Sequence, residues 1–236
     1  VERWTDSKQE QKVNTEDMLE TLKELTSFET VSQITQSTNY GLSSRRCAAY
    51  LQQLFSSLGA SQARLLPISD TLNPAIVATF RGKSSPGAKR RILWYGHYDV
   101  IDPGDRDRWN TDPFTLTCEN GYMKGRGVSD NKGPLVSAIH SVSMLHKQNK
   151  LLNDVVFLVE GNEEIGSPQF SDICKKYKNI IGDKIDWIIL SNSTWVDTIH
   201  PCLNYGLRGV INARVTVYSD VPDSHSGVNG GTLQEP

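Results

Sequence analysis

Three short runs, Ile92-Leu93-Trp94-Tyr95, Val155-Val156-Phe157-Leu158-Val159 and Trp187-Ile188-Ile189-Leu190, are apolar at every position, and each stops at a polar cluster. A strand with one face in water alternates apolar and polar residues, whereas a run without alternation must be covered on both faces. Segments with helical spacing separate these runs at about 134–147 and near 170–177, and two further strand-like stretches precede them at 63–66 and 75–80. Strands alternating with helices predict an α/β fold: a three-layer sandwich around a mixed, mostly parallel sheet.

Two helices open the ordered part. Asn14 can cap the first, Asp17 suits its first turn, and Met18, Leu22 and Leu25 share one face. The second begins at Ser43 or Ser44, presents Ala48, Leu51, Leu54, Phe55 and Leu58, and ends at Gly59. Residues 1–13 read as a polar tail, 32–42 as a loop and 82–87 as a turn between strands. Past Asn192 the pattern changes. Residues 210–217 alternate as a half-exposed strand would, so a first domain at 14–204 is expected to give way to a second, smaller one over 205–236.

Composition narrows the partners. With 37% apolar and 22% charged residues, 236 positions are ample for a buried core and exclude a disordered chain. A net charge of −2, with no polybasic run, argues against nucleic acid or an anionic membrane surface as partner. No apolar run approaches the roughly 20 residues that cross a bilayer. Cys47, Cys118, Cys174 and Cys202 form no C-x-x-C pair, which argues against a disulfide framework and favours a reduced, cytoplasmic setting.

In open α/β sheets ligands collect beyond the carboxyl ends of the strands, which is where these runs place their polar residues. The first ends in Gly96-His97-Tyr98-Asp99. A neutral imidazole at His97 can bind a borderline cation, and alternation puts Asp99 on the same side, as a partner that orients the ring. The second ends in Glu160-Gly161-Asn162-Glu163-Glu164, where adjacent carboxylates repel unless a cation or solvent takes up their charge. One can ligate while the other exchanges protons. Between them, Gly125-Arg126-Gly127-Val128-Ser129-Asp130-Asn131-Lys132-Gly133 sets Asp130 in a glycine-rich turn before a helix, as a cap or as a ligand able to bridge two cations. The third run ends at Asn192, a neutral amide.

Taken with Trp109-Asn110-Thr111-Asp112-Pro113-Phe114 and Ile165-Gly166-Ser167, these segments resemble the carnosinase-type zinc dipeptidases of the aminoacylase and carboxypeptidase group. Within that group, Pro201-Cys202-Leu203-Asn204-Tyr205-Gly206-Leu207-Arg208-Gly209 is most similar to a fungal branch involved in glutathione degradation. The likeness covers about residues 15–236. It implies a zinc-exopeptidase-like first domain and the opening of a smaller α+β lid and dimerisation domain. It also implies His97 as ligand of one zinc, Asp130 as the bridge, Glu164 as ligand of the other, Glu163 as general base and Asp99 as the support of His97. His225 would approach the substrate from a dimer partner and stabilise the developing oxyanion, with Arg208 near it.

Two departures qualify the likeness. Asn192 stands where the pattern has an aspartate ligand, so the ion beside His97 should be the weaker one. The last histidine ligand of the other ion would lie beyond Pro236. The expected function is hydrolysis of di- or tripeptides, with glutathione breakdown as one setting, by two zinc ions per complete site and manganese as the alternative metal. The partner would be a small peptide substrate, with a homodimer through the lid domain or a hetero-complex with another enzyme. The rival expectation, motivated by Asn192, is a catalytically weakened scaffold subunit of a glutathione-degrading complex.

Overall fold

Asn14 caps α1 (Thr15–Ser27), its Oδ1 accepting the Glu16 N–H at 3.1 Å, and Leu22 and Leu25 of that helix are buried. The computed structural model describes residues 14–32, 38–85, 89–192, 197, 199–200, 202–211, 213–218 and 225–231; the expected tail at 1–13 lies outside these residues. The chain divides into two units, Val1–Asn192 and Ser193–Pro236.

In the first unit α2 (Thr38–Ser57) leads to β1 (Gln62–Leu66), β2 (Ala75–Phe80) and β3 (Arg91–His97). A hairpin of β4 (Thr117–Glu119) and β5 (Tyr122–Lys124) precedes α3 (Gly133–Lys147). Then come β6 (Asp154–Glu160), α4 (Phe170–Lys176), α5 (Lys178–Ile181) and β7 (Trp187–Leu190). The main sheet has the order β1-β2-β6-β3-β7, antiparallel from β1 to β6 and parallel from β6 to β7.

Alternation along the strands builds two cores. Ile76, Ala78 and Phe80 of β2 join Val155, Phe157 and Val159 of β6 against Leu25 of α1, Leu51 and Phe55 of α2, and Leu135 and Ile139 of α3. Their neighbours Ala75, Val77, Val156 and Leu158 face the other way, onto Ile173 of α4 and Ile181 of α5. At β2 and β6 the sheet is thus covered on both faces, the three-layer arrangement expected of unalternating strands, whereas β7 is exposed.

Three features depart from the sequence reading. Helix α2 begins at Thr38 rather than at 43 or 44, because Tyr40 packs against Val31, Val100 and Phe114 and gives the polar first turn a tertiary anchor. The β4–β5 hairpin was not anticipated, although Asn120-Gly121, with φ of 52° and 79°, is the dipeptide that a tight hairpin turn requires. The expected strand at 210–217 is irregular where described, with Val210 and Val215 exposed. Alternation supplies two faces, but a strand also needs a ladder partner, and among the described residues none pairs with this segment. Among its described residues the second unit contains one short turn of helix, α6 (Ser226–Asn229).

Candidate metal centre

Strands β3 and β6 pair in parallel with His97 opposite Glu160, and β3 pairs with β7 as far as Tyr95 opposite Leu190. Their carboxyl ends are therefore level, and the residues that follow converge on one volume.

His97, 1% exposed, is held by its inner nitrogen: Nδ1 lies 3.1 Å from the Asp99 carbonyl and 3.5 Å from Asp99 Oδ1. Asp99 is itself buried, its Oδ2 accepting Ser32 Oγ–H at 2.6 Å and the Glu164 N–H at 3.0 Å. One carboxylate thus ties the end of β3 to the turn after β6. The outer nitrogen, Nε2, points into the cluster, 2.9 Å from Asp130 Oδ1 and 3.9 Å from Glu163 Oε2.

Asp130 lies in the turn Val128–Lys132. Gly127 enters that turn at φ 83° and packs against Val100, where a Cβ would collide, so the turn can lie close to the strand end. Lys132 pins it from below. Its buried ammonium donates at 2.8 and 3.0 Å to the Leu25 and Phe28 carbonyls at the end of α1, each of which also accepts a backbone N–H, and burial lowers its pKa to about 8.

Glu163 and Glu164 open a short 3-10 turn directly after Asn162. Buried amides fix the approach to it: Asn162 Nδ2 donates to the Asn73 carbonyl at 2.9 Å, and Asn73 Nδ2 donates to the Gly161 carbonyl at 2.7 Å. Gly161 packs so closely on the Tyr98 ring that a Cβ would not fit.

His97, Asp130 and Glu164 each offer one ligand atom, and these atoms lie within 4.8 Å of one another. The electrostatics suit a cation. Burial opposes a charged His97, but Asp99, Glu163 and Asp130 more than offset it and raise its pKa to about 9. Burial and then the Asp130 charge push Glu164 up to about 7, against the pull of His97. Protons hold together what a divalent ion would hold better: one imidazole and two carboxylates are a donor set that fits zinc.

Asn192 reaches the same place after β7. Its Nδ2 donates to Asp130 Oδ1 at 2.9 Å and lies 3.5 Å from His97 Nε2. Thus His97, Asp130, Glu163, Glu164 and Asn192 are gathered in one cluster, with Asp99 behind His97. His225 and Arg208 are exposed residues of the second unit; His225 Nδ1 accepts the Gly227 N–H at 3.0 Å. Sequence reasoning passed over Ser32, Asn73, Asn131 and Asn162, whose partners lie far away in the chain.

Imidazole and carboxylates converging at the carboxyl ends of parallel strands define an α/β domain with a candidate metal centre. Residues 93–226 match the family described as Peptidase family M20/M25/M40, and the chain belongs to that family. It is 65% identical over 229 residues to the "Probable di- and tripeptidase DUG2" of Saccharomyces cerevisiae, covering 95% of this chain and 26% of that protein. The "Cys-Gly metallodipeptidase dug1" of Schizosaccharomyces pombe is 41% identical over 152 residues, 63% of this chain and 32% of its own length. The crystal structure of human carnosine dipeptidase 1 superposes with a TM-score of 0.66 and 31% identity, covering 77% of this chain and 39% of that one. The chain therefore spans about a quarter to a third of the length of these curated relatives. Among the described residues no helix is long and apolar enough to cross a membrane.

Proposed function

We propose that this chain supplies the metal-holding part of a cytoplasmic zinc peptidase that hydrolyses di- or tripeptides, Cys-Gly-type products of glutathione breakdown among them. The observation that carries the reading is the convergence of His97, Asp130 and Glu164 ligand atoms within 4.8 Å. Family membership and the names of the relatives support peptides as the substrate class.

In this reading His97, Asp130 and Asn192 would hold one ion, and Asp130 and Glu164 would help hold a second. Zinc bound there would supply Lewis-acid polarisation of the scissile carbonyl and acidify a water. Glu163, 38% exposed in its side chain and beside the cluster, accepts the proton from the attacking water and returns it to the leaving amine. Asp99 keeps the His97 ring turned so that Nε2 faces the ion. His225 of a dimer partner would stabilise the oxyanion.

The test uses the full-length protein, with metal analysis and hydrolysis of di- and tripeptides. Stoichiometric zinc is expected, with activity lost in Glu163→Gln while the metal is retained; absent metal, or unchanged activity in that variant, overturns the reading. A second reading rests on Asn192, whose amide N–H already satisfies Asp130 without a cation. It is a scaffold subunit, for which alanine at His97 or Glu163 would leave the activity of the complex intact.

A further inference from the structure

Asn131, 2% exposed, uses both ends of its amide. Oδ1 accepts the His97 backbone N–H at 3.3 Å, and Nδ2 donates to the Ser191 carbonyl at 2.8 Å. The ladder between β3 and β7 stops at Tyr95 opposite Leu190. Beyond that point, among the described residues, no backbone bond joins the two strands, and the Asn131 side chain takes its place. Gly96 makes room for it: a Cβ at 96 would stand 2.8 Å from Asn131 Oδ1. Asn131 also follows directly on Asp130, so a single amide is connected to all three residues that surround the His97 side of the cluster.

The chemistry of the contact calls for an amide. One end must accept from an N–H and the other must donate to a carbonyl, a combination that a carboxylate of the same shape cannot offer. The contact also matters more here than at an ordinary strand end. Among the described residues, the ladder to β3, this bond and the Asn192 amide's own bond to Asp130 fix where residue 192 sits.

We propose that Asn131 is a positioning residue that sets the spacing of His97 and Asn192 across Asp130, and thereby the affinity of the ion held between them. The proposal rests on the metal-site reading above. Asn131 touches no substrate; it acts through the residues on either side of the ion.

Zinc titration of the full-length protein against a competing chelator tests it, with Asn131→Ala, Asn131→Asp, Asn192→Asp and the double variants Asn131→Ala/Asn192→Asp and Asn131→Asp/Asn192→Asp. Both changes at 131 should weaken the weaker ion by about 10- to 100-fold, as for other residues that orient metal ligands, and leave the tighter ion within about threefold. Asn192→Asp should tighten the weaker ion in the parent protein and do so by at least about fivefold less in either 131 background, because an ill-placed carboxylate cannot use its charge. The same-size Asn131→Asp pair carries the test should the alanine variants not fold. Weakening of both ions alike, or effects at 131 and 192 that multiply independently, would mark a merely structural role and overturn the proposal. Failure of the parent protein to bind zinc would instead remove the metal-site reading itself, and this proposal with it.

Discussion

Strands β6 and β7 flank β3, run in the same direction and lead into the same cluster, yet every residue of β6 is buried and every residue of β7 is exposed. Both runs are equally apolar in sequence. Among the described residues the difference comes from position: β6 lies between two strands and two helical layers, while β7 has β3 as its one ladder partner and its Trp187 is 67% exposed. The two sides of the site therefore rest on different footings. The glutamates follow a strand buried along its whole length, whereas Asn192 is held by one ladder, the Asn131 bond to Ser191 and its own bond to Asp130.

The largest test of this contrast is stability. Phe157 of β6 is fully buried among Phe55, Phe80 and Trp94, and its replacement by alanine should cost about 3–5 kcal/mol. Ile189→Ala on β7, where the side chain is 37% exposed, should cost less than about 1 kcal/mol. Urea denaturation of the two variants checks this, and comparable losses would show that β7 is as firmly held as β6.

Next in size is the chemistry attributed to the β6 side. Glu163→Gln should lower kcat by about 10²- to 10⁴-fold in the full-length protein, with zinc content unchanged.

Proton competition should then separate the two ions. His97, with a pKa carried to about 9, must shed its proton to ligate, so affinity for the ion beside it should fall about tenfold per unit as pH drops below 9. Glu164 titrates near 7, so the ion on its side should be indifferent to pH above 7 and weaken only below it. Isothermal titration across pH 6 to 10 would reveal two such onsets; a common onset would contradict the assignment of separate ligands. The smallest expected effect is Asn192→Asp, which restores a charged donor and should tighten the weaker ion by about tenfold, read by the same titration.

Much of this was legible along the chain. The run at 187–190 coincides with β7, although it is exposed rather than covered, and α3 begins within a residue of the expected start, because apolar runs and helical spacing are written in neighbouring residues. His97, Asp99, Asp130, Glu163, Glu164 and Asn192 could be singled out for the same reason: each follows directly on a strand or a glycine-rich turn. The Asn120-Gly121 hairpin was equally open to reading and was missed, since its strands are only three residues each. The start of α2 was not legible, for its first turn is held by Tyr40 packing on residues from other segments.

By itself, then, the sequence determined the α/β class, the order of its strands along the chain and the chemical types available at their ends, all properties carried by residues a few positions apart. Only the tertiary structure decided which apolar strand became the centre and which the edge. It alone paired Asn131 with residues 34 and 60 positions away and Asn73 with Asn162 across 89. Hydrogen bonds and burial of that kind have no periodicity to announce them, because they exist only once distant segments of the chain have been packed together.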